Sequence, residues 1–243
     1  MKVRLDRLLL DRNIASTIKA ARAVIGAGEV YVKDRVADKS GSLFDANVTI
    51  RMKKKCPFVS RGGLKLEKGI THFNISPENL TCIDIGASSG GFTDCLLQHN
   101  VKKVFAVDVA YGQLAWKIRQ DSKVTVLERF NARNISLKDT NNTFIDLAVI
   151  DVSFISLTKL LPQITTLFHG EVSILALIKP QFELIKSDIG PKGVVKDSSL
   201  HEKAIHKIEK FAETLGLISE KPIASPLLGP QGNREFLIHI HSR

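Results

Sequence analysis

"TCIDIGASSGGFTD", residues 81–94, decides the fold. An apolar strand-like run leads into a turn of small residues, Gly86, Ala87, Ser88, Gly90 and Gly91, and Phe92 follows at a helix start. Such residues let the backbone approach a ligand without Cβ clashes. The glycines lack the G-x-G-x-x-G spacing of the dinucleotide fingerprint, and no Gly-Lys-Ser/Thr end completes a phosphate loop. Asp84, just before the turn, suits a ligand with a positively charged amino acid end better than a pyrophosphate.

Downstream, the same alternation continues. A helix around 62–73 precedes the first strand. A helix from 91, the strand "KVFAVDV", a helix from 113, "VTVL", "IDLAVIDV", a helix from 156, "VSILALIK" and a helix from 201 follow. Two strands near 217–224 and 235–240 close the chain. Strands alternating with helices predict an α/β fold, a largely parallel sheet covered on both faces. Ligands bind such sheets beyond the C-terminal strand ends. Asp108 ends the second strand, where a carboxylate accepts ribose hydroxyls, and Glu128 or Asn131 follows the third within reach of adenine or ribose. A glycine turn with an acidic second strand end is the S-adenosylmethionine-binding arrangement, although the pair alone also suits a nicotinamide dinucleotide. Lys65, Asp151, Lys179 and Glu235 stand at comparable edges.

Upstream the pattern changes. "RLDRLLLDRN" sets Leu5, Leu8 and Leu9 on one helical stripe with Arg4, Arg7 and Arg12 outside it. Ser16 is the expected N-cap of a second helix carrying Lys19 and Arg22 and stopped by Gly26 or Gly28; Val30, Val32 and Val36 around Lys33-Asp34 predict a hairpin. Residues 1–60 hold 13 Lys and Arg against 6 Asp and Glu, so most of the net charge of +10 lies in the first quarter of the chain. That bias favours a polyanionic partner. The basic stretch with Arg51, Lys53, Lys54 and Lys55 ends at Pro57, and the domain boundary is placed there, giving 1–58 and 59–243.

No apolar run approaches the roughly 20 residues of a membrane span, and charges interrupt the N-terminal leucines, so neither a signal peptide nor a membrane partner is expected. Cys56, Cys82 and Cys95 are odd in number and have no metal-ligand spacing, so the expectation is a reduced, cytoplasmic chain without a metal site.

These strings carry a resemblance. The first thirty-odd residues resemble the S4-like RNA-binding module, which implies phosphate contacts from Arg4, Arg7, Arg12, Lys19 and Arg22, with Lys53, Lys54 and Lys55 beside them. Lys65, Asp151, Lys179 and Glu235 resemble the catalytic tetrad of FtsJ-like RNA 2′-O-methyltransferases. "DIGASSGGFTD", "VDVAYGQL", "DVSFISL", "IKPQFE" and "LLGPQGNREFL" are similar to the TlyA, or hemolysin-A, family. The resemblance implies a Rossmann-like methyltransferase sheet whose last strand is antiparallel, S-adenosylmethionine as cofactor, and methylation of a cytidine ribose in ribosomal RNA. Against the family pattern this chain is short at both ends, which leans towards the large subunit alone. Lys179 is then the expected base, since partial desolvation and the like charge of Lys65 favour a neutral amine. Asp151 would orient it. Glu235 would fix Lys65 or a sugar hydroxyl. A non-catalytic RNA-binding assembly factor is the alternative function; a membrane-active haemolysin is a weaker one.

Overall fold

The computed structural model describes residues 2–53 and 56–243, so the expected phosphate contacts Lys54 and Lys55 lie outside the described residues. The chain divides into two compact units, 1–55 and 56–243.

In the first unit, β1 (Lys2–Arg4) pairs antiparallel with β4 (Leu43–Asp45), and β2 (Val30–Val32) lies between β3 (Arg35–Val36) and β5 (Ile50–Met52). Lys33 and Asp34 both adopt positive φ, the backbone that a two-residue hairpin demands. Helices α1 (Leu5–Asp11) and α2 (Ile18–Gly26) bury Leu5, Leu8, Leu9, Ala21 and Ile25 against Val30 and Val32. The cap of α2 is Thr17 rather than Ser16: the Thr17 hydroxyl accepts from Ala20 N–H, the bond that satisfies an orphan donor of the first turn.

The second unit holds the sheet. Its strands in chain order are β6 (Thr81–Ile85), β7 (Lys103–Val107), β8 (Val124–Leu127), β9 (Leu147–Ile150), β10 (Ser173–Ile178), β11 (Ile218–Ser219), β12 (Ile223–Ala224) and β13 (Phe236–His241). In space the order is β11-β13-β10-β9-β6-β7-β8, with β12 also on β13. Strands β10, β9, β6, β7 and β8 run parallel, and β13 is antiparallel to β10. This α/β sheet with one long antiparallel strand is the architecture expected of S-adenosylmethionine-dependent methyltransferases.

The period of two sorts the core. Ile83, Ile85, Ala148, Ile150, Ile174, Ala176 and Ile178 face α6 (Leu161–Thr165) and α8 (Ser198–Thr214). Cys82, Leu147, Val149, Leu175 and Leu177 face α3 (Gly62–His72) and α4 (Gly91–Gln98). Two expected helices are curtailed. The one from 113 shrinks to α5 (Trp116–Arg119), because residues 108–115 run as a loop with Gly112 at positive φ. The one from 156 is a 3-10 turn, Leu157–Lys159, before α6, where Pro162 can sit only in the first helical turn. No helix among the described residues is long and apolar enough to cross a membrane.

Candidate active site

The sheet order reverses between β9 and β6, whose ends are in register at Ile85 and Ile150. The next residues, Gly86 and Asp151, therefore meet at the crevice where such sheets bind ligands. Gly86 has φ +89°, and a Cβ there would overlap the Asp151 carbonyl. Gly91, the first residue of α4, packs so closely on α3 that a Cβ would strike the Ser60 hydroxyl and the Gly63 backbone nitrogen. Both approaches require glycine.

Two cavities open at this crevice and share Gly86, Ser88 and Asp151. The first, about 530 Å³, is lined by Asp108, Asn131, Phe130, Ala132, Ile155 and Leu160 among others. The second, about 740 Å³, is bounded by Lys65, Arg61 and Phe92 and by residues 227–232. In the first, Asp108 is held by two backbone donors: Ser88 N–H to Oδ2 and Ala110 N–H to Oδ1, each at 2.7 Å. Asn131 lines the same wall while accepting from Arg133 N–H.

The four charged residues converge. Lys179 Nζ lies 2.6 Å from Asp151 Oδ1, at an angle outside that of a hydrogen bond, and donates to Ser153 Oγ at 3.2 Å. Asp151 Oδ2 stands 3.9 Å from Lys65 Nζ, which donates to Glu235 Oε2 at 2.6 Å. The result is an alternating chain of cation, anion, cation, anion. Lys179 and Glu235 are buried, at 7% and 1% exposure, so neither is a solvated surface charge. Lys179 follows directly on β10, Asp151 on β9, Lys65 projects from α3, and Glu235 precedes β13.

Other expected contacts lie elsewhere. Asp84 shares the parity of Cys82, so its side chain turns under α4; it is fully buried, accepts from Thr93 Oγ1 at 2.6 Å, and lines neither cavity. Burial, partly offset by the Thr93 hydrogen bond, pushes its carboxyl up to about 7. Glu128 is absent from both walls and is taken by Gly112 N–H and by Arg119. Ala87, by contrast, lines the second cavity from the turn, and Gly90 is buried at φ +91° as the cap of α4.

In the basic unit, the Arg4 and Arg22 guanidinium groups both grip Asp6, which is 1% exposed. The Arg4 hydrogen bond, with help from Arg22 and against burial, holds that carboxyl far below the ordinary range. Arg12 donates to the carbonyls of Ala46 and Val48. Arg7, Lys19 and Lys53 are exposed.

Sequence reasoning missed Ser153 and Phe154. Phe154 lines the first cavity, is 91% exposed, has φ +66°, and sits 5.2 Å from the Phe182 ring. A bulky residue in that backbone region stores strain. The signal lay in "DVSFISL", where an aromatic stands three residues after the strand-end acid.

Comparison with known proteins gives the family. The model of the FtsJ-like methyltransferases matches residues 58–242. The candidate rRNA methyltransferase YqxC of Bacillus subtilis (strain 168) is 44% identical over 241 residues, covering 99% of this chain and 86% of that protein. The 16S/23S rRNA (cytidine-2′-O)-methyltransferase TlyA of Mycobacterium tuberculosis (strain ATCC 25618 / H37Rv) is 38% identical, covering 100% and 91%. A solved structure from Streptococcus thermophilus, titled as a candidate hemolysin, superposes with a TM-score of 0.77 at 40% identity, covering 99% of this chain and 88% of that one. With a family model spanning the whole sheet and such relatives along nearly its full length, the chain belongs to the FtsJ-like methyltransferase family, among the TlyA and hemolysin-A relatives.

Proposed function

We propose that this protein methylates the ribose 2′-hydroxyl of a cytidine in ribosomal RNA, with the large subunit as its substrate and S-adenosylmethionine as methyl donor. The observation that carries the reading is the Lys179–Asp151–Lys65–Glu235 chain, whose Asp151 lines both cavities and whose Lys65 lines the second. The names of the relatives support the substrate: one acts on 16S and 23S rRNA cytidines, another, from Campylobacter jejuni, on 23S rRNA.

The residues present fit the donor. The first cavity offers an apolar slot between Phe130, Ile155 and Leu160, the Asp108 carboxylate beside it, and a wall at Gly86 that lies close against Asp151 because no Cβ intervenes. Asp108 and Asn131 would bind the adenosine. S-adenosylmethionine, when bound, supplies an electrophilic methyl group on a sulfonium.

A ribose hydroxyl is a weak nucleophile, so the chain's task is deprotonation and in-line placement. In this reading Lys179 Nζ accepts the hydroxyl proton. Asp151 fixes its nitrogen from one side and Ser153 from another. Glu235 anchors Lys65, whose ammonium steadies the developing alkoxide. Phe154 presents an aromatic face on which a splayed-out base can stack, and the basic unit, resembling the S4-like module, holds the RNA backbone through Arg7, Lys19 and Lys53.

The test compares ribose methylation of rRNA from cells with the protein, without it, and with Lys179→Ala. Lys179→Ala should lower methyl transfer on purified subunits by roughly 10²–10⁴-fold, the usual contribution of a general base. Donor affinity by titration calorimetry should stay near wild type, whereas Asp108→Ala should weaken it. Full activity in Lys179→Ala would remove the assignment, and no uptake of S-adenosylmethionine by the wild type would favour a non-catalytic RNA-binding role.

A further inference from the structure

At the opposite end of the sheet, His239 and His241 alternate onto one face of β13, and Glu220 stands across from His239 on the continuation of β11. Glu220 N–H donates to the His239 carbonyl at 3.0 Å, so the three positions are locked by strand pairing. One ligand-type atom from each side chain lies within 4.8 Å of the others. The two imidazoles stack with centroids 4.9 Å apart, and Phe73 closes one side with its ring 5.8 Å from His239.

We propose that Glu220, His239 and His241 form a site for one divalent transition cation of the zinc type, separate from the methyl-transfer centre. Two imidazoles and a carboxylate are a ligand set of three, leaving a fourth position for water. The second observation is the state of the rings' other nitrogens. His239 Nδ1 faces Glu220 Oε1 at 2.7 Å while its Nε2 meets Ser173 Oγ at 3.0 Å; His241 Nδ1 donates to the Ser242 carbonyl at 2.7 Å, leaving Nε2 as its lone-pair nitrogen. Fixing one ring nitrogen by an oxygen so that the other presents a lone pair is how metal-binding histidines are oriented.

Bonds of about 2.0–2.2 Å to nitrogen and oxygen would draw the three atoms closer together. The Glu220 side chain is 45% exposed and turns freely enough to allow it. The site lies beside Ser173, where β10 begins, whereas Lys179 follows its other end, so a bound ion would clip the two-residue β11 to β13 and take no part in chemistry. Reading cysteine spacing alone leads to an expectation of no metal, because these ligands are brought together only by strand pairing.

A second cluster, Glu67, Cys95 and His99, competes for the same class of ion. There Cys95 is fully buried, and one oxygen, Glu67 Oε2, already takes both the Cys95 thiol and the His99 ring nitrogen.

The experiment is calorimetric titration of the untagged, full-length protein with zinc, and a parallel cobalt titration read by absorption. One equivalent should bind to the wild type and to Cys95→Ser alike. Glu220→Gln and the double variant His239→Gln/His241→Gln should lose it, and Ser173→Ala should weaken it by roughly 10–100-fold. Cobalt should show no sulfur-to-metal charge-transfer band. Because the histidine variant can be misfolded, its circular dichroism is compared with wild type, and Glu220→Gln, altered at an exposed side chain, is decisive alone if the folds differ. Absence of saturable zinc binding, unchanged binding in Glu220→Gln, or loss of binding in Cys95→Ser would each overturn the proposal.

Discussion

Asp84 shows how a single side chain escapes a linear reading. Its place just before the glycine turn was visible, and so was its charge. What decided its contacts was parity, which sends residues 82 and 84 towards α3 and α4 and residues 83 and 85 to the opposite core. Its carboxyl is raised to about 7 in the fold, chiefly by burial. An unfolded aspartate titrates near 3.9, so between about pH 4 and 7 the native state binds the extra proton and stability falls as pH rises, by up to ~1.4 kcal/mol per unit. Asp84→Asn should therefore gain on the wild type in melting temperature as pH is raised from 5 to 8; a constant difference would contradict this. Asp6 has the reverse sign. Its depressed value gives stability that is fully present above the unfolded value and is lost as pH falls through the folded one. Lys179, by contrast, was legible, since a charged residue closing an apolar strand run has only the sheet's open edge to occupy.

At the scale of elements, strands were easier to foresee than helices. The run 174–178 is buried on both faces, so its composition alone marked it. The helix expected from 113 fails because residues 108–115 are spent as a wall of the first cavity, which no helical period announces. The α3–α4 contact was equally hidden: "SRGGLKL" and "SSGGFTD" lie far apart, yet their glycines touch. Gly91→Ala would push α3 outward and with it Lys65, while leaving the Asp108 wall in place. Methyl transfer should fall at least ~10-fold, as expected when a positioned group moves by a fraction of an ångström to an ångström. Donor affinity should change much less, and calorimetry with a radiolabelled transfer assay separates the two.

For the whole molecule, charge asymmetry was the part most plainly readable, because composition needs no geometry. How individual arginines are used needed the fold. Arg4 and Arg22 are bound up with Asp6, and Arg12 with two carbonyls, so three of the five cations expected on the two helices have internal partners, and Arg4 stands at the end of β1 rather than on a helix. Arg7 and Lys19 are exposed, and reversing both to Glu should weaken rRNA binding and reduce the salt dependence by about one unit of slope per lost phosphate contact. The methyl-donor affinity of that variant should be unchanged. Equal RNA binding at every ionic strength would place the footprint elsewhere.

The shared threshold of Gly86, Ser88 and Asp151 has a practical corollary. On the proposed reading the donor and the ribose take the two cavities, and these three residues border both, so an adenosine tethered to a cytidine through a short linker would reach from one cavity into the other. Such a bisubstrate inhibitor would profit from the effective concentration that joining two weak ligands creates, and the close Gly86–Asp151 approach offers little room for a resistant variant to raise a barrier.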